Sequence, residues 1–121
     1  MTPGSLAGRL YRFALRVPRL VDAMPRDRVG ARTLGEQLVD AATSSAANYE
    51  EVRGAVSHVD FTAKLAISYK EIRESVFWLR MIRDAELHRN DKMTDIIREG
   101  KELRAILGSS LKTARQHKER S

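Results

Sequence analysis

The sequence has no cysteine, few helix-breaking residues and no long hydrophobic run. Without cysteine the chain has no disulfide, thiol nucleophile or cysteine-ligated metal, which suits a reducing, cytoplasmic location. Only three prolines and seven glycines interrupt 121 residues, which favours long helices. The longest uncharged stretch, 41–49, is too short and too polar to span a bilayer, so no membrane role is expected. The length and ordinary composition predict a single domain over 1–121.

Positive charge is concentrated at the two ends of the chain. There are 22 Lys and Arg against 16 Asp and Glu, a formal net charge of +6. Residues 1–32 contain seven arginines and two acids, and residues 92–121 contain eight bases and four acids. Residues 33–53, with four acids and one base, are the acidic segment. A cationic surface favours polyanionic partners such as RNA or DNA.

Apolar residues recur every three or four positions in four segments, the spacing of one face of an α-helix. They predict helices over about 5–24, 31–53, 58–89 and 92–112, followed by a frayed basic tail at 113–121. Ser57 is the expected N-cap of the third helix, with Asp60 in its first turn. Short connections place consecutive helices side by side and antiparallel. The predicted fold is therefore all-α, an antiparallel up-down-up-down four-helix bundle.

Small residues fill the middle of the second predicted helix, at 41–47. Around a turn near Gly54, Ser45 should lie level with about Ala66, so small residues face small residues. The second and third helices should therefore approach closely. Small polar residues on buried helix faces usually bond to their own helix backbone, which is our expectation for Ser44, Ser45, Ser68 and Ser75.

The search for catalytic and metal-binding motifs finds little. His58, His88 and His117 are far apart, and none belongs to a His-x-x-x-His or Glu-x-x-His pair. Glu71 and Glu74 share a helix face with bases between them, the pattern of a solvated, salt-bridged surface rather than an acid–base pair. We therefore expect no catalytic residues, no metal, no cofactor and no small-molecule substrate.

Arginines form a stripe on the first predicted helix, on a face different from its apolar stripe. Regular guanidiniums could contact phosphates, could be solvated, or could pair at a subunit interface with acids of the second helix. No aromatic residues alternate with these bases, so a stacking platform for single strands is not indicated. The candidate nucleic-acid-binding residues are Arg9, Arg12, Arg16, Arg19, Arg115, Lys118 and Arg120.

A longer pattern resembles a known protein family. It comprises Ser44-Ser45-Ala46-Ala47-Asn48-Tyr49, then Ser57, Asp60-Phe61, Lys64-Leu65, Glu71, Glu74 and Phe77-Trp78-Leu79. The pattern is similar to four-helix-bundle proteins encoded in intervening sequences of bacterial large-subunit ribosomal RNA genes. This resemblance implies a homo-oligomer, a pentameric ring in members of similar fold. A retroelement accessory protein of related fold binds nucleic acid and a reverse transcriptase, whereas most of the family has no established activity.

Three hypotheses follow for function. The first is a non-enzymatic nucleic-acid-binding or ribonucleoprotein accessory module; the alternative is a protein–protein interaction scaffold, and a hydrolytic or metal enzyme comes third. Phe77 and Trp78 lie beside Leu79, so the three side chains point over about 200° of the helix circumference. A single bundle would leave part of that arc in water. We therefore predict that Phe77 and Trp78 form an interface between subunits.

Overall fold

Four α-helices make up almost all of the structure, a computed structural model that describes residues 2 and 4–120, without the side chains at 90 and 118–120. The helices are α1 (Leu6–Asp22), α2 (Val29–Arg53), α3 (His58–Asp84) and α4 (Asn90–Arg120). The described residues include no strand, which confirms the all-α prediction. In this part of the chain, no helix has both the length and the apolar character that crossing a membrane requires.

Each helix packs against two neighbours. The contacting pairs are α1 with α2, α2 with α3, α3 with α4, and α1 with α4. Between α1 and α4, Arg9 contacts Glu99 whereas Arg16 contacts Asp95. The partner on α4 moves toward the amino end as the arginine moves toward the carboxyl end of α1, so the two helices are antiparallel. The predicted four-helix bundle is confirmed, and these contacts agree with its antiparallel arrangement.

The apolar stripes of all four helices meet in one core. Large side chains from every helix are fully buried, among them Phe13, Leu38, Ile72 and Leu103. On α4 the positions that follow this three- and four-residue spacing are all buried: Met93, Ile96, Ile97, Gly100, Leu103, Leu107 and Leu111. The spacing of apolar residues therefore identifies the inward faces, as expected for helices that each bury one stripe.

The third helix ends earlier than the sequence predicts, at Asp84 instead of about residue 89. Its last turn closes around Glu86, whose φ of 56° lies in the left-handed region. The backbone N–H of Leu87 then donates to the carbonyl of Ile82 at 3.1 Å, and the Leu87 side chain turns back into the core. This reversal allows α4 to begin at Asn90.

The predicted frayed tail at 113–121 is wrong as far as Arg120, because α4 continues to that residue. Ala114 is buried, and its carbonyl lies 2.9 Å from Nε2 of His58 at the start of α3. The last turns of α4 therefore have a neighbour to pack against. Ser121 lies outside the described residues.

Candidate nucleic-acid interface

Arg9 and Arg16 of the arginine stripe are paired with acids of α4 in the same chain. Arg9 donates to both carboxylate oxygens of Glu99, from Nε at 3.1 Å and from Nη2 at 2.6 Å. Arg16 Nη2 donates to Asp95 Oδ2 at 2.9 Å. The hydrogen bond to Glu99 raises the pKa of the Arg9 guanidinium above its ordinary value. These two arginines therefore hold α1 against α4, and their charge is partly neutralised before any ligand arrives.

Arg12 and Arg19 occupy the outward side of α1. Both side chains are exposed, because they lie farther from α4 on the helix circumference than Arg9 and Arg16 do. Arg19 makes no ion pair with any described residue. Its guanidinium is thus available for a phosphate at the carboxyl end of α1.

A basic cleft lies at that end of the bundle, between α1 and the start of α4. We call it the α1/α4 cleft; its charged lining residues are Arg16, Arg19, His88, Arg89, Lys92, Asp91 and Asp95. Its volume is about 590 Å³. The bases come from α1, from the α3–α4 connection and from the first turn of α4, so the bundle brings together residues that are distant in sequence.

Two acidic side chains lower the positive electrostatic potential of the cleft. Asp95 is engaged by Arg16, and Asp91 Oδ1 accepts the backbone N–H of Lys92 at 2.9 Å. Arg19, Arg89 and Lys92 then remain as exposed cations on one rim. Such a group fits the oxygens of a phosphate, since guanidinium and ammonium groups both donate several hydrogen bonds to an anion.

The carboxyl-terminal candidates lie elsewhere. Arg115 is exposed on α4, about 35 Å along the helix from Lys92 at 1.5 Å per residue. The side chains of Lys118 and Arg120 lie outside the described residues. Arg115 also lies about 24 Å along α4 from Glu99, the partner of Arg9, so the structure does not bring Arg115 together with the arginines of α1.

The acidic pair on α3 is a local cluster rather than a metal centre. Burial raises the pKa of the Glu71 carboxyl, and the nearby charge of Glu74 raises it further; Asp40 of α2 adds a smaller effect. Among the described residues, no group of three histidine, aspartate or glutamate side chains is placed to hold a metal ion.

Phe77 and Trp78 occupy different environments. Phe77 is 52% exposed, whereas Trp78 is half-buried and packs against the core. Their rings meet edge to face, with centroids 5.0 Å apart. Phe77 is thus a large apolar side chain in water, held in place by its neighbour.

Comparison with known proteins identifies the family. A family model described as 23S rRNA-intervening sequence protein matches residues 8–109. The chain belongs to this family. It is also similar to a crystal structure from Bacteroides thetaiotaomicron VPI-5482, described as a protein with unknown function from the S23 ribosomal protein family. That similarity has a TM-score of 0.78 and 26% sequence identity, and it covers 88% of this chain and 95% of the other. No curated protein matches the chain significantly.

Membership of the 23S rRNA-intervening sequence protein family confirms the resemblance inferred from the sequence. It does not indicate which residues act. Sequence reasoning missed His88, Arg89 and Lys92 of the α1/α4 cleft, because they fall at a predicted helix boundary. The signal that could have identified them is the group of bases within residues 88–92. These residues lie at the turn before the fourth helix, and in an antiparallel bundle that turn lies beside the carboxyl end of α1.

Proposed function

We propose that this protein is a non-enzymatic, homo-oligomeric helical bundle that binds RNA or DNA as a cytoplasmic accessory module. The observation that carries the proposal is the α1/α4 cleft, where bases from three segments of the chain meet. Family membership supports it, since the description of the family names an intervening sequence of 23S rRNA. The net charge of +6 favours the approach of a polyanion.

The cleft suits contact with phosphates rather than reading of bases. Arg19, Arg89 and Lys92 are exposed, and Arg16 is held beside them by Asp95. Contacts of this kind fix position but carry no sequence information. Binding should therefore be insensitive to sequence and strongly dependent on salt, because each neutralised phosphate releases counterions.

Assembly would multiply this weak contact. A ring of the kind implied by the resemblance would repeat the cleft in every subunit, and linked sites bind a long polyanion more tightly than one site does. Light scattering at micromolar concentration should give several times the 13.7 kDa mass of one chain. A mass of 13.7 kDa would overturn the assembly.

The test of binding compares two variants that lose equal charge. The cleft variant combines Arg19→Ala, Arg89→Ala and Lys92→Ala; the control combines Arg98→Ala, Lys101→Ala and Lys112→Ala on the exposed side of α4. Gel retention of labelled RNA and DNA is measured over a salt series. We expect the cleft variant to lose about two to three units of slope in log affinity against log salt, and the control to keep the wild-type slope.

The outcome also separates the alternative function. No retention of either nucleic acid by the wild type at low salt would overturn the nucleic-acid role. A pull-down that recovers protein but no nucleic acid would then support an interaction scaffold. The structural feature favouring a scaffold is apolar surface between α1 and α2, where Tyr11 and Leu15 are exposed. Equal losses in the cleft and control variants would show that binding is not centred on the cleft.

A further inference from the structure

A second basic surface lies between α3 and α4. It is on a different side of α4 from the α1/α4 cleft, because α1 and α3 each pack on α4 but not on one another. We call it the α3/α4 face; its charged lining residues are Lys70, Arg73, Arg80, Arg104 and Glu74. None of these four bases forms an ion pair with another described residue. The face therefore keeps a surplus of positive charge.

The packing of α3 on α4 brings Arg104 level with Arg73. A Cβ at Gly108 would lie 3.0 Å from the Tyr69 ring, so these two positions are at one level. Arg104 lies one turn before Gly108 and Arg73 one turn after Tyr69, and the two helices are antiparallel. The Arg73 guanidinium lies over the Tyr69 ring at 5.7 Å, a cation–π contact that orients it. Two guanidiniums from different helices thus meet at one level of the face.

Phe77 stands among the bases of α3. Arg73 and Arg80 lie four positions before it and three after it, and Lys70 lies seven before it, so all share one side of the helix. The ring of Phe77 is 52% exposed, and its edge-to-face contact with the half-buried Trp78 fixes its position. On α1 no aromatic residue alternates with the arginines, whereas on α3 one does.

An exposed ring among unpaired cations fits a partner that offers both negative charge and flat apolar surface. A single-stranded nucleic acid offers phosphates and unpaired bases together. A duplex offers phosphates, but its bases are already stacked on each other. A second copy of the chain carries a net charge of +6 and brings like charge to the face. The charges therefore favour a single strand over the subunit interface that the apolar pattern alone predicts at Phe77.

We propose that the α3/α4 face binds single-stranded RNA or DNA, with one base stacked on Phe77 and the adjoining phosphates held by Arg73 and Arg80. The inference rests on the nucleic-acid role proposed above, and it adds to the cleft a second contact that selects single strands. Both RNA and DNA should bind, because phosphates and base faces are common to the two. Sequence preference should be weak, since every base has a face that can stack.

Trp78 provides a local measurement of binding. It is the only tryptophan in the chain, and its ring meets that of Phe77 with centroids 5.0 Å apart. A base stacked on Phe77 should therefore quench the fluorescence of Trp78. The probes are a short oligopyrimidine strand, as RNA and as DNA, and the duplex of the same sequence. The single strands should quench the fluorescence, whereas a duplex bound at the α1/α4 cleft should not.

Phe77→Leu tests the stacking contact, because leucine keeps an apolar side chain but has no flat face. Affinity is measured by the fluorescence anisotropy of labelled probes. We expect about tenfold weaker binding of single strands and unchanged binding of the duplex. Phe61→Leu is the matched control, since Phe61 is also an exposed phenylalanine of α3 and lies about 24 Å along the helix from Phe77. The control should change neither affinity.

The phosphate contacts are tested by the salt dependence of single-strand binding. Arg73→Ala combined with Arg80→Ala removes two contacts and should lower the slope of log affinity against log salt by about 1.4 units. Arg98→Ala combined with Lys112→Ala removes the same charge from exposed positions of α4 and should keep the wild-type slope. Equal slopes for the two double variants would overturn the assignment of the phosphates to this face.

The outcomes distinguish this proposal from the others. Unchanged single-strand affinity in Phe77→Leu, or single-strand binding that leaves Trp78 unquenched, would overturn the α3/α4 face alone. Quenching that persists in the cleft variant would support the α3/α4 face even where the cleft has no role. Phe77→Asp should keep the wild-type mass in light scattering; a smaller mass would place Phe77 between subunits and overturn the proposal. A wild type that retains neither nucleic acid at low salt would overturn both binding surfaces.

Discussion

Ser45 of α2 and Ser68 of α3 hydrogen-bond each other's backbones. Ser45 Oγ donates to the Ser68 carbonyl at 3.1 Å, and Ser68 Oγ donates to the Ser45 carbonyl at 2.9 Å. Both side chains are completely buried. Such a reciprocal pair requires the two helix backbones to lie close together, and it satisfies both hydroxyls without a polar partner elsewhere in the core.

This close approach makes Ser45 intolerant of larger side chains. Ser45→Ala removes one donor and should lower the free energy of unfolding by about 1 kcal/mol. Ser45→Val adds volume between the backbones and should cost about 2–3 kcal/mol. Urea unfolding followed by circular dichroism gives both values, and Thr43→Val, at an exposed position of α2, serves as the control. A Ser45→Val protein as stable as the control would contradict the close packing of α2 on α3.

Close packing of the small residues could be predicted from the sequence, but not its exact register. Ser45 lies opposite Ser68 rather than about Ala66, and the two serines bond across the helices rather than to their own. By contrast, the N-cap prediction at Ser57 is confirmed, because its Oγ accepts the backbone N–H of Asp60 at 3.0 Å. A cap depends on neighbours in sequence, whereas register depends on how two whole helices fit together.

Neither the boundary between α3 and α4 nor the basic cleft could be predicted from the sequence. Glu86 adopts a left-handed backbone conformation, which at a helix end is usually signalled in the sequence by glycine or asparagine. Leu87 also continues the apolar spacing beyond the end of α3, so the sequence predicts a longer helix. The cleft unites Arg19 with Arg89 and Lys92, which become neighbours only when α4 packs on α1. The binding of phosphate in the cleft and the role of Phe77 and Trp78 at an interface between subunits remain predictions.

Two glycines should respond oppositely to alanine. A Cβ at Gly100 would lie 3.0 Å from Val76 Cγ2 and 3.3 Å from Phe13 Cε2, and both neighbours are buried. Gly100→Ala should therefore lower the free energy of unfolding by about 1–2 kcal/mol, despite alanine's higher helix propensity. A Cβ at Gly30 would meet nothing within 4 Å, so Gly30→Ala should stabilise by up to about 1 kcal/mol. Equal midpoints in urea for the two variants would show that α3 and α4 pack less tightly near Gly100.

The two α1–α4 ion pairs should differ in their contribution to stability. The Arg9 and Glu99 side chains are only 25% and 24% exposed and meet through two hydrogen bonds, whereas Arg16 and Asp95 are 41% and 68% exposed. A double-mutant cycle on Arg9 and Glu99 should give a coupling of about 1 kcal/mol, against at most about 0.5 kcal/mol for Arg16 and Asp95. Arg9→Lys should recover only part of the coupling, because a single ammonium cannot reproduce the two-pronged contact. Equal couplings would mean that exposure and geometry do not distinguish the pairs.

The pH dependence of stability should report on Glu71. Its pKa is raised by burial first and then by the charge of Glu74, so the folded chain holds this proton more tightly than the unfolded chain does. Stability then falls as the pH rises from the ordinary value of 4.5 through the raised pKa, and the penalty is complete above the raised pKa. Glu71→Gln removes the charge and should therefore stabilise the protein at pH 7, with a gain that shrinks as the pH falls toward the ordinary value of 4.5.

The measurement must isolate α3 from any second copy, because an arginine from a neighbour would lower the pKa of Glu71 again. Urea unfolding of the wild type and of Glu71→Gln is therefore compared between pH 4.5 and pH 8 at the lowest protein concentration that circular dichroism allows, because dilution favours the separate chain. Glu51→Gln, at an exposed position of α2, controls for the loss of one negative charge. A gain from Glu71→Gln that stays constant across this range, or that matches the control, would show that burial of Glu71 has no energetic consequence in the folded chain.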